Sequence, residues 1–204
     1  EYVTAPLLLH GYKFDLRVYV LVTSFRPLRV YLYREAIVRL CAEPYTPASA
    51  LTEDGMAQLL RHLTNASLNK HSDLAKAERP GIGVGCKFPL TQFEGALRDQ
   101  GLDLDQLWDR VKAVVALSCL AASASVPQDR SCFELFGFDL MVDDAGRPWL
   151  LEANFSPDLI VEGPTDELVK PALLGAVFDT LHIPNPSHPP EHQLEGRSFD
   201  RTIS

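Results

Sequence analysis

The chain has 204 residues, with 46% hydrophobic and 23% charged side chains and a formal net charge of −8. That length and balance suit one globular domain with a substantial core. The acidic surplus argues against nucleic acid as a direct partner, which needs clustered Lys and Arg, and no apolar run reaches the roughly 18 residues of a membrane span.

In chain order, residues 13–23 alternate cleanly. Lys13, Asp15, Arg17 and Tyr19 take one strand face, and Phe14, Leu16, Val18 and Val20 the other. A turn at 24–27 returns the chain into a second strand over 28–33, and 35–40 reads as a third short strand or a turn carrying Arg39. Residues 51–63 read as a helix, followed by a polar stretch over 64–70. From 71 to 85 the composition is charged, then Gly- and Pro-rich, which predicts a mobile loop. Helical periodicity marks 89–100 and 102–126, and Leu104, Leu107, Trp108, Val111, Val114 and Val115 form the buried stripe of the longer helix.

A hairpin over 133–154 follows, then a helix capped by Thr165 and running through Leu168, Leu173, Val177 and Leu181. Residues 184–204, proline-rich and polar, predict a disordered tail, leaving 1–183 as the folded domain. Strands, then helices, then another hairpin indicate an α+β domain. Four scattered cysteines, Cys41, Cys86, Cys119 and Cys132, form no CxxC pair and suggest a reducing compartment.

The hairpin carries the strongest chemical signal. Phe138, Leu140 and Val142 alternate on one strand, and Trp149, Leu151 and Ala153 on the next. If both sets share the core, a two-residue turn at Ala145 and Gly146 sets Asp139 opposite Glu152, with Asn154 following on the same face. Two like charges so placed destabilise a sheet unless a proton or cation intervenes. Oxygen donors without His or Cys suit Mg²⁺ rather than zinc. The bland alternative is an exposed polar face.

Other polar groups admit two readings each. Lys13, Asp15 and Arg17 are either a solvated edge or a surface meeting a polyanion, with Lys13 and Arg17 on phosphate oxygens. Thr64 and Asn65 are either a polar helix end or hydrogen-bond partners of a nucleotide. Lys70 and Lys87 are surface lysines or carboxylate binders. With a Mg²⁺ site in view, a nucleoside triphosphate is the economical ligand. GxxxxGK[ST], GxGxxG and nucleophile–histidine patterns are absent, so the chemistry implied is metal-assisted phosphoryl or acyl-phosphate transfer.

Five segments fall in one order: Lys13 to Arg17, Tyr31 to Glu35 with Val38-Arg39, His62 to Asn65, Phe136 to Asp139, and Trp149 to Asn154. Together they resemble the tubulin–tyrosine ligase-like family, ATP-dependent amino-acid ligases of the ATP-grasp class. The resemblance covers about residues 1–183 and is nearest the polyglutamylating branch. It implies the C-terminal part of an ATP-grasp fold, with the upstream lobe missing and the isolated piece inactive. It also implies that Tyr2 and Val3 meet adenine at the hinge, and that Lys13, Asp15, Thr64 and Asn65 contact ATP. Asp139, Glu152 and Asn154 would bind Mg²⁺, while Arg39, Ser67 and Lys87 would hold the incoming amino acid, Arg39 and Glu152 being catalytic.

The reaction implied is phosphorylation of a tubulin-tail glutamate followed by attack of free L-glutamate, on microtubules of the cytoplasm, cilium or basal body. Two residues depart from the family pattern. Ala153 stands where Val is frequent, and Asp158 where a small residue is usual. A non-catalytic microtubule-associated relative, or a ligase using glycine or tyrosine, is the competing expectation.

Overall fold

A computed structural model of the protein describes residues 2–47, 55–65, 69, 73–127, 129, 132–183 and 198–203. Strands β1 (Leu8–Leu9), β2 (Tyr12–Phe25) and β3 (Leu28–Leu40) come first, then helices α1 (Gly55–His62) and α2 (Asp73–Lys76). Strand β4 (Lys87–Pro89), helices α3 (Glu94–Asp99) and α4 (Leu104–Ser123), and the hairpin β5 (Glu134–Val142) and β6 (Pro148–Phe155) follow. Helix α5 (Pro164–Thr180) and strand β7 (Phe199–Ile203) end the described chain.

Every strand pairing among the described residues is antiparallel. The main order is β4-β3-β2-β5-β6, with β1 on β2 and β7 on β3. The outer edge of β3 is shared, β7 pairing with 30–33 and β4 with 37–39. This mixed fold with an antiparallel sheet agrees with the α+β expectation.

The period-two alternation of β2 builds both faces of the sheet. Phe14, Leu16, Val18 and Val20 enter one core with Phe138, Leu140 and Val142, covered by α3 and α4. Leu104, Leu107, Val111 and Val115 of α4 are buried there, with Trp108 and Val114 packed alongside, as the stripe predicts. Each such side chain contributes about 1.5–3 kcal/mol. Asp103 starts the helix by accepting a hydrogen bond from the Gln106 amide at 3.0 Å. On the opposite face, Tyr19, Leu21, Tyr33 and Ile37 pack under Val169, Leu173 and Val177 of α5. That helix covers one end of the face, and the charged residues of β2 and β3 occupy the other.

Several expectations are corrected. Residues 28–40 form one strand, because β3 bulges at Tyr33–Glu35, which lie opposite Tyr19 of β2 between the Val18–Ala36 and Val20–Leu32 pairs. The 79–86 segment is tied to the sheet, with Arg79 buried and donating to the Cys41 and Gly85 carbonyls and Ile82 in the core. Residues 87–89 are strand, since Lys87 pairs with Arg39. Helix α5 starts at Pro164 with Gly163 at the cap, and the Thr165 hydroxyl instead donates to the Lys87 carbonyl at 2.7 Å. Residues 199–203 are no loose tail but a strand on β3. Residues 51–54 of the first predicted helix and 184–197 of the tail lie outside the described residues.

The hairpin is corrected in an instructive way. Its loop has three residues, with the Asp143 amide donating to the Arg147 carbonyl and Gly146 at φ +68°. That odd loop would slip the register, but a bulge between Asp139 and Leu140 absorbs one residue of β6. Asp139 therefore does face Glu152. Beyond the bulge, Trp149, Leu150 and Leu151 lie exposed on the sheet edge instead of sharing the core with Phe138 and Leu140.

Candidate active site

Strand register alone assembles a line of charge across five strands. Lys87 of β4 pairs with Arg39 of β3, and Arg39 with Asp15 of β2. Two residues along β2, Arg17 pairs with Asp139 of β5, and Asp139 with Glu152 of β6. All stand on the sheet face that carries α5, and the first turn of that helix reaches Lys87.

Arg39 sits at the centre. Its guanidinium grips Asp15 through two bonds, of 2.7 and 2.6 Å, and reaches Asp139 at 2.9 Å. Arg17 makes a second two-bond grip on Asp139, and the Thr64 hydroxyl donates to Asp15. Asp15 and Asp139 are almost fully buried. Burial works to raise the Asp139 pKa, but the hydrogen bonds from Arg17 and the charge of Arg39 outweigh it and hold the carboxyl below its usual range. Burial likewise opposes the Arg39 charge and is outweighed by Asp15, so the guanidinium is held more firmly protonated. The cation that relieves the Asp139–Glu152 repulsion is thus a pair of arginines.

Glu152 differs from its neighbour. It is exposed, and its Oε1 accepts from the Asn154 amide at 2.9 Å. Among the described residues no group of three His, Cys, Asp or Glu side chains is arranged to hold a metal ion. The donor chemistry of Glu152 and Asn154 still fits Mg²⁺, since both supply hard oxygens on one face of the edge strand, while the Asp139 oxygens beside them are bonded to Arg17 and Arg39. The two strand residues on the edge stay open to a ligand that brings its own oxygens.

The nucleotide-type residues gather at the same end of β2, next to Asp15. Lys13, 2% exposed, donates to the Tyr2 hydroxyl at 3.3 Å and lies over the Tyr2 ring. Burial lowers its pKa. The Tyr2 hydroxyl is hydrogen-bonded to His62 at 2.6 Å, and the His62 ring meets Tyr45 edge-on. Burial first, then the Lys13 charge, lowers the His62 pKa. Val3 is half-buried and Asn65 is exposed. Ser67 and Lys70 lie outside the described residues.

Lys87 is held by side chains that the sequence reading passed over. Its ammonium lies 3.1 Å from Asp166 and 3.2 Å from Glu162. Asp166 also pairs with Lys170 at 3.0 Å, and Lys170 donates to the Ile160 carbonyl at 2.5 Å. The signal was present, because Asp166, Lys170, Leu173 and Val177 are spaced four, three and four apart, on the buried stripe of α5. Asn69 was also missed. It accepts from the Ala42 amide at 3.0 Å and donates to the Leu63 and Asn65 carbonyls, which fixes the irregular stretch carrying Thr64. Asp158 accepts from the Ile160 amide at 2.8 Å, so it shapes its own turn.

Residues 1–191 match the tubulin-tyrosine ligase family model. The chain belongs to this family. It is 40% identical over 183 residues to a human protein named probable tubulin polyglutamylase TTLL2, covering 90% of this chain and 30% of that protein. It is 34% identical over 195 residues to the zebrafish (Danio rerio) tubulin polyglutamylase ttll6, covering 90% and 24%. The mouse protein named tubulin polyglutamylase TTLL5 is 35% identical over 191 residues, covering 89% and 14%. The chain thus spans less than a third of the length of these relatives. Within the tubulin-tyrosine ligase family assignment, no helix among the described residues is long and apolar enough to cross a membrane.

Proposed function

We propose that this chain is part of an ATP-grasp ligase that uses ATP and Mg²⁺ to join free L-glutamate to glutamate side chains of tubulin tails. The observation that carries the reading is the Arg39 guanidinium, fixed by Asp15 and Asp139 beside Lys87 on one sheet face. Its family membership and the polyglutamylase names of its relatives support the substrate class.

In this reading Lys13, Asp15, Thr64 and Asn65 face the nucleotide, with Tyr2 and Val3 against the adenine. Lys13 is a compact cation whose burial strengthens its attraction for phosphate oxygens. Asp139, Glu152 and Asn154 would hold Mg²⁺, which supplies charge neutralisation on the phosphates being transferred. Arg39, with Ser67 and Lys87, receives the incoming amino acid. Two guanidinium nitrogens locked on Asp15 leave Arg39 no rotameric freedom, so it presents its charge without reorganising.

The acceptor carboxylate gains a phosphoryl group, and the glutamate amine then displaces phosphate as the amide forms. Cations already in place lower the cost of both anionic transition states. The site of action that follows is the microtubule cytoskeleton of the cytoplasm. The piece described here, apart from the remainder of a longer relative, is proposed to be inactive.

The test is amino-acid choice. The full-length protein is incubated with tubulin, Mg-ATP and equimolar isotope-distinguished glutamate, glycine and tyrosine, and tail peptides are weighed by mass spectrometry. Glutamate additions on internal tail residues are expected. Glycine or tyrosine additions, or none, would overturn the reading.

A further inference from the structure

Lys87 differs from an ordinary surface lysine in what stands behind it. Its ammonium lies 3.1 Å from Asp166, and Asp166 lies 3.0 Å from the ammonium of Lys170. Asp166 and Lys170 are 1% and 3% exposed and sit one turn apart on α5, on the stripe that carries Leu173 and Val177. Lys170 is tied further by donating to the Ile160 carbonyl, and Asp166 accepts from the Glu162 amide at 3.2 Å. Burial works to raise the Asp166 pKa, but hydrogen bonds from Lys170 and Lys87 outweigh it and keep the carboxylate ionised.

A buried charged pair is a poor way to hold a helix on a sheet. Apolar side chains of similar volume in its place often leave a fold as stable or more so, and α5 already packs through Val169, Leu173 and Val177. The pair calls for a further role, and its charge emerges at Lys87. That side chain is 24% exposed and lines a cavity of about 780 Å³ together with Phe88 and Gln92, a volume usual for a small-molecule site. A lysine stem is flexible, so an unanchored ammonium gives up rotamer freedom each time it meets a ligand. Here the first turn of α5 fixes it twice, the Thr165 hydroxyl on the Lys87 carbonyl and Asp166 on the ammonium. Of the three ammonium donors, Asp166 and Glu162 engage two among the described residues, which leaves the third for a ligand.

We propose that Asp166 is a positioning residue for amino-acid binding: backed by Lys170, it holds the Lys87 ammonium where a carboxylate of the incoming amino acid meets it. The inference rests on the reading of Lys87 as an amino-acid binder and deepens it. Lys170 acts one step further back, keeping Asp166 charged and aimed.

The test uses the full-length protein with tubulin and Mg-ATP, and reads KM for L-glutamate, KM for ATP and kcat separately. Asp166→Asn is expected to raise the glutamate KM about five- to thirty-fold, the upper figure being the rotamer freedom of one lysine, with kcat and the ATP KM nearly constant. Asp166→Glu restores the charge and should recover part of the loss. A double variant, Asp166→Leu with Lys170→Met, removes the anchor but keeps the volume, so it should melt close to wild type and still show the raised glutamate KM. A wild-type glutamate KM in the double variant, or a joint change of kcat and both KM values, overturns the proposal. Lys87→Ala tells which reading has failed. If it raises the glutamate KM and the Asp166 variants do not, the positioning role alone falls. If it leaves that KM unchanged, the amino-acid reading of Lys87 falls and the positioning role with it. Binding is also read without transfer, from the L-glutamate concentration that half-protects Lys87 against an amine-acylating reagent. Asp166→Asn should raise that concentration by the same factor, and an absence of protection in the wild type overturns the proposal. A raised concentration without any transfer to tubulin would sink the ligase reading and support this one.

Discussion

Asp139 and Glu152 oppose one another across β5 and β6, yet two guanidinium groups meet the first and a neutral amide meets the second. The pair is therefore divided between structure and ligand. Asp139 belongs to the buried ionic layer that ties β2, β3 and β5 together, and Glu152 stands at the edge where a ligand can reach it.

Asp139→Asn should be costly to the fold. It strands Arg17 and Arg39 beside a neutral group in a nearly buried layer, and breaking a buried pair from one side costs about 3–5 kcal/mol. Urea unfolding should show a lower midpoint with an unchanged slope. A midpoint equal to wild type would mean that the two arginines find other partners.

Glu152→Gln should separate folding from chemistry. The side chain is exposed and its amide neighbour remains, so stability should change by less than about 0.5 kcal/mol. Magnesium-dependent turnover should fall at least about 100-fold, the scale of losing one electrostatic group at a transition state. A variant equally active at saturating Mg²⁺ would remove Glu152 from the metal site.

The acid limb of stability follows from Asp139. Its folded-state carboxyl is held below the usual range, so the unfolded chain binds the proton more readily. The resulting stabilisation is fully present above the ordinary carboxylate pKa of about 4, and it is lost as pH falls through the folded value. Asp166 acts in the same direction, its burial outweighed by hydrogen bonds from Lys170 and Lys87. Glu35, raised by burial, acts in the opposite one. The clean readout is the difference between wild type and Asp139→Asn, which should shrink as pH drops from about 6 to 3. A difference constant over that interval would contradict the assignment.

Gly137→Ala tests how tightly the layer is packed. A Cβ there would lie 3.0 Å from Arg17 Cδ and 3.0 Å from Pro157 Cβ. Arg17 can give way, but doing so disturbs its grip on Asp139, so a loss of about 1–3 kcal/mol is expected in thermal or urea unfolding. Unchanged stability would show that Arg17 relocates freely.

Much of this was legible in the residues because β-strand alternation is local. The two faces of β2, the α4 stripe and the same-face placement of Asp139, Glu152 and Asn154 all follow from period two or period 3.6. The hairpin register was reached by a different route, since a three-residue loop and a bulge cancel, and neither leaves a mark that alternation detects. What partners what across the sheet was not legible. The capture of Asp139 by Arg17 and Arg39 depends on strand order, which pairs β2 with both β3 and β5. The strand at 199–203 was hidden for a similar reason, because a polar sequence becomes a strand when β3 offers it an open edge.

The central claim is that the charged face serves transfer of glutamate onto tubulin. Its most direct test is the rate of labelled glutamate incorporation into tubulin by full-length wild type and by Glu152→Gln, at equal folded protein and saturating Mg-ATP. Steady incorporation by wild type and near-complete loss in the variant is the predicted result. No incorporation by wild type, or equal rates for the two proteins, would contradict it.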